Sequence, residues 1–181
     1  MRSLRGQLLV AGPGLLDPNF HRSVVLVGEH GDEGAMGVVL NRPTSITVAE
    51  AVAPIAPLVD EADVVHVGGP VQPQAVVVLA DFVDPTLAQA IVLDTVGFLP
   101  GEIEDATQLG DLRSIRVFAG YAGWAEGQLE DELEEGSWLV FPARISDVFG
   151  TNAERLWSDV LRRQGGGYAV LALLPDDPRV N

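Results

Sequence analysis

Short apolar runs rich in β-branched residues, each closed by glycine or proline, constrain the fold of this chain more than any other feature. Runs of four to eight such residues between turn-forming residues are typical of β-strands. The strand candidates are Gln7–Ala11, Ser23–Glu29, Met36–Asn41, Asp63–Val67, Gln74–Ala80, Gln89–Asp94, Ser114–Phe118, Trp138–Phe141 and Tyr168–Leu174. Of these, Gln89–Asp94 is also compatible with a helix.

Helical signals are fewer and irregularly placed. They predict a short helix over Thr47–Ala53, stopped by the prolines that follow, and an acidic helix over Glu126–Glu135. Thr151 and Glu154 have capping-box spacing, so a helix should begin near Asn152 or Ala153 and end at Gly165. Residues 97–114 are expected to be a loop with one helical turn. The pattern predicts a single α+β domain over residues 1–181 with a mostly antiparallel or mixed sheet.

Two missing residue types exclude whole classes of chemistry. The chain has no cysteine, which excludes disulfides, thiol nucleophiles and cysteine-ligated metals. All 11 basic residues are arginine, so a P-loop lysine and Schiff-base chemistry are excluded as well. The formal net charge of −15 disfavours nucleic acid and anionic membranes as partners.

The N-terminus has a weak resemblance to an export signal. Arg2 and Arg5 precede the apolar run Leu8–Ala11, but Gly12, Pro13 and Gly14 interrupt it. Elsewhere no apolar run approaches the roughly 20 residues that a membrane-spanning helix needs. We therefore expect a cytoplasmic protein that does not insert into a membrane.

Two arginines flank the first predicted hairpin. Arg22 begins one strand and Arg42 ends its antiparallel partner, so the two should lie close together with Asn41 beside them. Neighbouring guanidinium groups require an anion or a carboxylate between them, and Asp17 could supply it. The sequence leaves open whether this is a ligand site or a structural ion pair.

Other candidate motifs carry less weight. His21, His30 and His66 lack the spacing of a metal site, and Asp17, His21 and Ser23 are close only in sequence, so no metal, cofactor or catalytic triad is predicted. Gly120, Gly123 and Gly127 suggest a glycine-rich turn rather than a phosphate loop. Trp124, Trp138 and Trp157 are predicted core aromatics, with Tyr121 and Trp124 only partly buried on that turn.

Several motifs together resemble the YqgE/AlgH family of bacterial proteins. The resemblance covers nearly the whole chain and is weakest over residues 46–63 and 97–113. It implies an α+β fold with a bent sheet forming a pseudo-barrel. Some members of the family carry a "transcriptional regulator" label, but the family has no established activity. The matching segments are Gly6–Ala11, Asp17–Val25, Glu29–His30, Gly34–Pro43, Gly68–Val71, Arg116–Trp124 and Gly127–Glu130.

Two functional hypotheses follow. The preferred one is a non-enzymatic binding or regulatory protein with a polar cleft for a small anionic ligand or a protein partner. The alternative is a hydrolase-like enzyme that acts on a small anionic substrate, with Asp17 or His21 as acid/base. Direct DNA binding by a transcriptional regulator is disfavoured by the charge. The predicted cleft residues are Asp17, His21, Arg22, His30, Asn41, Arg42, Gly68, Gly69, Tyr121 and Trp124.

Overall fold

A computed structural model describes residues 2–101 and 105–177 of the chain. These residues form one mixed sheet of ten strands with helices against it, which confirms the predicted α+β class. The strands are β1 (Gln7–Ala11), β2 (Val24–Gly31), β3 (Gly34–Val39), β4 (Pro43–Thr47), β5 (Val64–Val67), β6 (Val71–Phe82), β7 (Ala90–Leu93), β8 (Val96–Phe98), β9 (Leu112–Ala125) and β10 (Trp138–Pro142).

The sheet is antiparallel apart from one pair. Its main path runs β10-β1-β2-β3-β9-β6-β8-β7, while β5 joins β9 in parallel and β4 pairs with β5. A two-residue turn at Asp32 and Glu33 connects β2 and β3, at the predicted hairpin position. Strand β3 ends at Val39, before the predicted end at Asn41, so Pro43 does not end it; Pro43 instead opens β4, an edge strand that tolerates proline.

Strands β6 and β9 are longer than predicted. Strand β9 continues through the glycine-rich segment, so the predicted turn over residues 119–124 is wrong. The glycines there serve close packing instead: Gly120 has φ of 72°, and a Cβ on it would lie 2.6 Å from the Gly69 carbonyl oxygen. Glycine therefore lets β9 pass the corner between β5 and β6 without a break.

Curvature brings β7, the last strand of the sheet path, back to β2. Strand β7 contacts β2, although no ladder joins them within the described residues, so the sheet is strongly bent but not closed. This matches the pseudo-barrel that the family resemblance implies. The enclosed core includes Leu26 from β2, Val92 from β7, Leu79 from β6 and Phe118 from β9.

Five α-helices lie among the described residues: α1 (Val48–Ala51), α2 (Gln128–Glu134), α3 (Ile145–Phe149), α4 (Ala153–Gln164) and α5 (Gly166–Leu171). Helices α2 and α4 lie where the sequence predicts them. Helix α1 is shorter than predicted and continues as a 3-10 helix over Ala53–Leu58 because two prolines stop the α-helix. None of the described helices is long and apolar enough to cross a membrane.

The predicted strand over Tyr168–Leu174 is wrong. Gly165, with φ of 74°, turns the chain, and α5 follows and packs against α4. A short continuous apolar run does not distinguish a strand from a helix by periodicity. Between β7 and β9, part of the predicted loop forms β8 and a 3-10 helix at Ala106–Leu109, while residues 102–104 lie outside the described residues.

Candidate functional site

Asn41 joins the start of β2 to the end of β3. Its side chain accepts a hydrogen bond from the Val24 amide at 3.0 Å and donates one to the Arg22 carbonyl at 2.9 Å. Asn41 is only 8% exposed, so water replaces these bonds poorly. The bridge sets Arg22 and Arg42 beside each other, as the hairpin geometry predicts.

Arg22 is held by three kinds of contact. Its guanidinium lies 4.3 Å from the centroid of the Trp157 ring, which is a cation–π geometry. It forms an ion pair with Asp176 at 2.9 Å and donates to the Leu174 carbonyl. The main chain of Arg22 is left-handed, with φ of 54°, a conformation that costs a non-glycine residue energy. The surroundings of Arg22 therefore fix its direction.

Arg42 lacks the carboxylate that Arg22 has. Its guanidinium donates to the His21 carbonyl, and within residues 2–101 and 105–177 it forms no ion pair. Burial lowers the pKa of Arg42 because the charged form loses contact with water. Arg42 thus carries a partly desolvated charge for which the described residues supply no ion-pair partner.

Both arginines open into one cleft of about 1270 Å³. The cleft lies between the loop before β2, the end of β3, the first turns of α4 and the residues after α5. Its charged groups are three arginines, one histidine and three carboxylates. The lining residues are Leu16, Pro18, His21, Arg22, Asn41, Arg42, Ala153, Glu154, Arg155, Trp157, Ser158, Asp176 and Asp177.

His21 faces the cleft but contacts no catalytic partner. Its ring nitrogens lie 3.4 Å from the Leu15 carbonyl oxygen and 3.1 Å from the Asp176 carbonyl oxygen. Ser23 is fully buried, and its hydroxyl has no hydrogen-bond partner among the described residues. His21 therefore does not activate Ser23, and these residues form no nucleophile–base pair.

Asp17 is not the carboxylate between the arginines, which corrects that expectation. Its side chain accepts from the Asn19 amide at 2.8 Å and so shapes the turn before β2. Asp176, near the end of the described chain, takes the place beside Arg22 instead. Asp17 lies between the cleft residues Leu16 and Pro18 without lining the cleft itself.

His30 and Trp124 lie at a different cavity, of about 670 Å³. The Leu4 amide donates to Nδ1 of His30 at 2.9 Å, so the ring proton is on Nε2, which donates to Glu130 at 2.7 Å. This bond lowers the pKa of Glu130. Trp124 is buried and donates to Glu132. The structure separates both residues from the arginine cleft.

Gly68, Gly69 and Tyr121 belong to the crossing of β5, β6 and β9. The Gly68 amide donates to the Ala119 carbonyl, and Tyr121 packs against the main core. None of the three lines the arginine cleft. Four of the ten predicted residues therefore meet there: His21, Arg22, Asn41 and Arg42.

His66 and Arg116 line a third cavity, of about 210 Å³. Arg116 can only donate, so Nε2 of His66, 3.4 Å away, is the acceptor and the ring proton is on Nδ1. Burial, together with the positive charge of Arg116, lowers the pKa of His66 to about 4. Arg116 also donates to the Phe149 and Gly150 carbonyls at the end of α3. Arg116 on β9 is therefore connected to the end of α3, and these contacts give His66 and Arg116 a structural role.

Within the described part of the chain, no group of three or more histidine, aspartate and glutamate side chains is placed to hold a metal ion.

The sequence did not predict the wall of the arginine cleft that α4 and the residues after α5 form. Trp157 was predicted as core, and it is buried, but one face of its ring carries Arg22. The capping-box pair located the start of α4, yet nothing in the sequence pattern indicated that this end faces the hairpin.

Comparison with known proteins gives consistent matches. Residues 8–169 match the model of the AlgH-like family, DUF179. A UPF0301 protein of Streptomyces avermitilis is 45% identical over 185 residues, covering 99% of this chain and 96% of the relative. A UPF0301 protein of Chlorobaculum parvum is 41% identical and covers 97% and 95%, respectively.

Two solved structures share the fold. A crystal structure of a protein from Corynebacterium diphtheriae superposes with a TM-score of 0.86 at 29% identity, covering 96% of this chain and 93% of that one. The solution structure of the AlgH protein from Pseudomonas aeruginosa gives a TM-score of 0.72 at 30% identity, covering 96% and 95%.

Proposed function

This chain belongs to the AlgH-like family, and we propose that it is a non-enzymatic binding protein whose cleft takes an anionic ligand or an acidic partner through Arg22 and Arg42. One observation carries the proposal: Arg42 lines the cleft with a partly desolvated guanidinium and, among the described residues, has no carboxylate partner. A charge in that position is stabilised when an anion binds beside it.

The cleft is less acidic than the chain as a whole. Three of the 11 arginines line it beside three carboxylates, Glu154, Asp176 and Asp177, whereas the chain carries a net charge of −15. A guanidinium binds a carboxylate or phosphate through two parallel hydrogen bonds, and such bonds are stronger in a partly desolvated cleft. Because the rest of the surface is acidic, selection for anions depends on short-range contacts within the cleft.

A hydrolase-like enzyme has less support. His21 is the cleft residue best suited to acid–base work, but its ring contacts main-chain carbonyls, and the nearby Ser23 hydroxyl is buried away from it. A catalytic nucleophile needs a base within hydrogen-bond reach. The regulator label of the family is compatible with a binding protein, whereas direct DNA binding is disfavoured by the net charge.

The proposal is tested with citrate and inorganic pyrophosphate as probes, by calorimetric titration and by the melting temperature. Binding raises the melting temperature of the native chain. Arg42→Ala should weaken binding by about tenfold or more, which is the size of a hydrogen bond to a charged group. Arg162→Ala is the matched control, because Arg162 lies on α4 in an exposed pair with Asp159.

Two results would contradict the proposal. One is binding of both probes by Arg42→Ala as tight as that of the native chain; the other is that the native chain binds neither probe and no acidic peptide. Turnover of phosphate or carboxylate esters that disappears in His21→Ala would favour the enzyme instead.

A further inference from the structure

We propose that the partner is an extended acidic segment of another protein, and that this chain's own residues 174–176 occupy the place of that segment in the free protein. This inference rests on the proposed function and specifies the ligand class and regulation of the same cleft. Three contacts carry it. Arg22 pairs with the Asp176 carboxylate at 2.9 Å and donates to the Leu174 carbonyl, and a His21 ring nitrogen lies 3.1 Å from the Asp176 carbonyl oxygen.

The chemistry of these contacts is that of peptide recognition. Two of the three acceptors are main-chain carbonyls, which every peptide presents, and the third is an aspartate side chain. The contacts of residues 174–176 therefore show which kinds of acceptor group His21 and Arg22 bind. A free inorganic anion would satisfy the guanidinium but would leave the main-chain contacts unused.

The dimensions of the cleft also favour a segment of chain. Its volume of about 1270 Å³ exceeds the roughly 300–1000 Å³ that is usual for small-ligand sites. Leu16, on the rim, is 56% exposed, so an apolar side chain is available to a partner. An extended segment with apolar and acidic residues complements both features.

The chain's own segment is held loosely. The Asp176 side chain is 86% exposed, and exposed ion pairs stabilise a structure only slightly. With residues 174–176 in place, Arg42 forms no ion pair among the described residues. A partner with two suitably spaced carboxylates could engage both Arg22 and Arg42, and it would then displace a segment that engages only one of them.

Displacement has a measurable consequence. Because the segment is part of the same chain, it competes at a fixed, high effective concentration and weakens the apparent affinity for a partner. The upper end of what an exposed ion pair contributes corresponds to about fivefold in an equilibrium constant. Removing the Asp176 carboxylate should therefore tighten partner binding two- to fivefold, within that range.

The test uses the full chain and a capped synthetic peptide, Leu-Leu-Pro-Asp-Asp, which copies residues 173–177. A second peptide with asparagine at both aspartate positions is the ligand control. We expect the acidic peptide to bind the native chain, Asp176→Ala to bind it two- to fivefold more tightly, and Arg42→Ala to bind it at least tenfold more weakly. Asp159→Ala, which removes an exposed carboxylate paired with Arg162 on α4, should bind like the native chain.

The outcomes separate this inference from the proposed function. If citrate or pyrophosphate binds and the acidic peptide does not, the peptide hypothesis is wrong and the anion cleft stands. Equal binding of the acidic and asparagine peptides also contradicts it, and so does an unchanged affinity in Asp176→Ala. If neither the peptide nor the small anions bind, both proposals are wrong.

Discussion

Replacing Asn41 with alanine tests whether this residue positions the two arginines. The change removes the acceptor for the Val24 amide and the donor to the Arg22 carbonyl. Val24 is fully buried, so its amide would be left without a partner, which costs about 1–3 kcal/mol. The Arg22 carbonyl lies nearer the surface and can bind water, so losing the hydrogen bond to it adds about 0.5–1 kcal/mol.

The expected total is a fall of about 1.5–4 kcal/mol in the free energy of unfolding. For a chain of 181 residues this corresponds to a fall of roughly 4–11 °C in the melting temperature. The free energy is measured by urea unfolding followed by circular dichroism at 222 nm. The same variant should also weaken citrate binding, because Arg22 and Arg42 lose the bridge between them.

Asn152→Ala is the matched control for this measurement. Asn152 precedes α4 but makes no side-chain capping hydrogen bond, and it is exposed. Its replacement should change stability by less than about 0.5 kcal/mol. If Asn41→Ala is as stable as Asn152→Ala, or is destabilised but binds citrate with native affinity, Asn41 does not position the two arginines.

Two further perturbations have expected sizes. Glu132→Ala should lower the free energy of unfolding by about 3–5 kcal/mol in urea titrations, because the buried indole N–H groups of Trp124 and Trp138 both donate to one Glu132 oxygen at 2.8 Å. The pKa of His66 falls from 6.5 to about 4 on folding, so the unfolded chain binds a proton in that range and the folded chain does not. The contribution of neutral His66 to the free energy of unfolding is fully present above pH 6.5. About 2–3 kcal/mol of that free energy should be lost as the pH falls from 6.5 to 4. His66→Gln should show a correspondingly shallower loss between these pH values.

Each of these has its own contrary outcome. Glu134→Ala removes an exposed carboxylate from the same helix, α2. A Glu132→Ala variant no less stable than Glu134→Ala would show that the shared indole contacts contribute little. Equal pH dependence in the native chain and in His66→Gln would show that His66 does not titrate differently in the folded and unfolded chains.

The sequence predicts those elements of the fold that contacts between nearby residues determine, and it fails where distant contacts decide. The β2–β3 hairpin, with Arg22 opposite Asn41, follows from strand pattern and turn spacing. Gly120 misleads because its positive φ serves strand crossing in β9 rather than a turn, and only the distant Gly69 shows this. The helix at Tyr168 is missed because an apolar run carries no period that separates strand from helix.

The candidate site divides in the same way. Arg22 and Arg42 are near each other because one hairpin holds both, and the sequence shows that hairpin. The contacts of Arg22 with Trp157 and Asp176 span more than 130 residues along the chain, so sequence pattern alone gives no signal for them. His30 and Trp124, predicted for the cleft, face another cavity because β2 and β9 carry them past it.

The most direct test of the anion cleft is a citrate titration in which two-dimensional NMR monitors the indole N–H signals of the three tryptophans. Trp157 lies under Arg22 in the cleft, whereas Trp124 and Trp138 share Glu132 elsewhere. We expect the Trp157 signal to move with saturation in the native chain while the other two signals remain fixed, and to need at least tenfold more citrate for the same movement in Arg42→Ala. A Trp157 signal that does not respond, or that responds equally in Arg42→Ala, would contradict the proposed anion cleft.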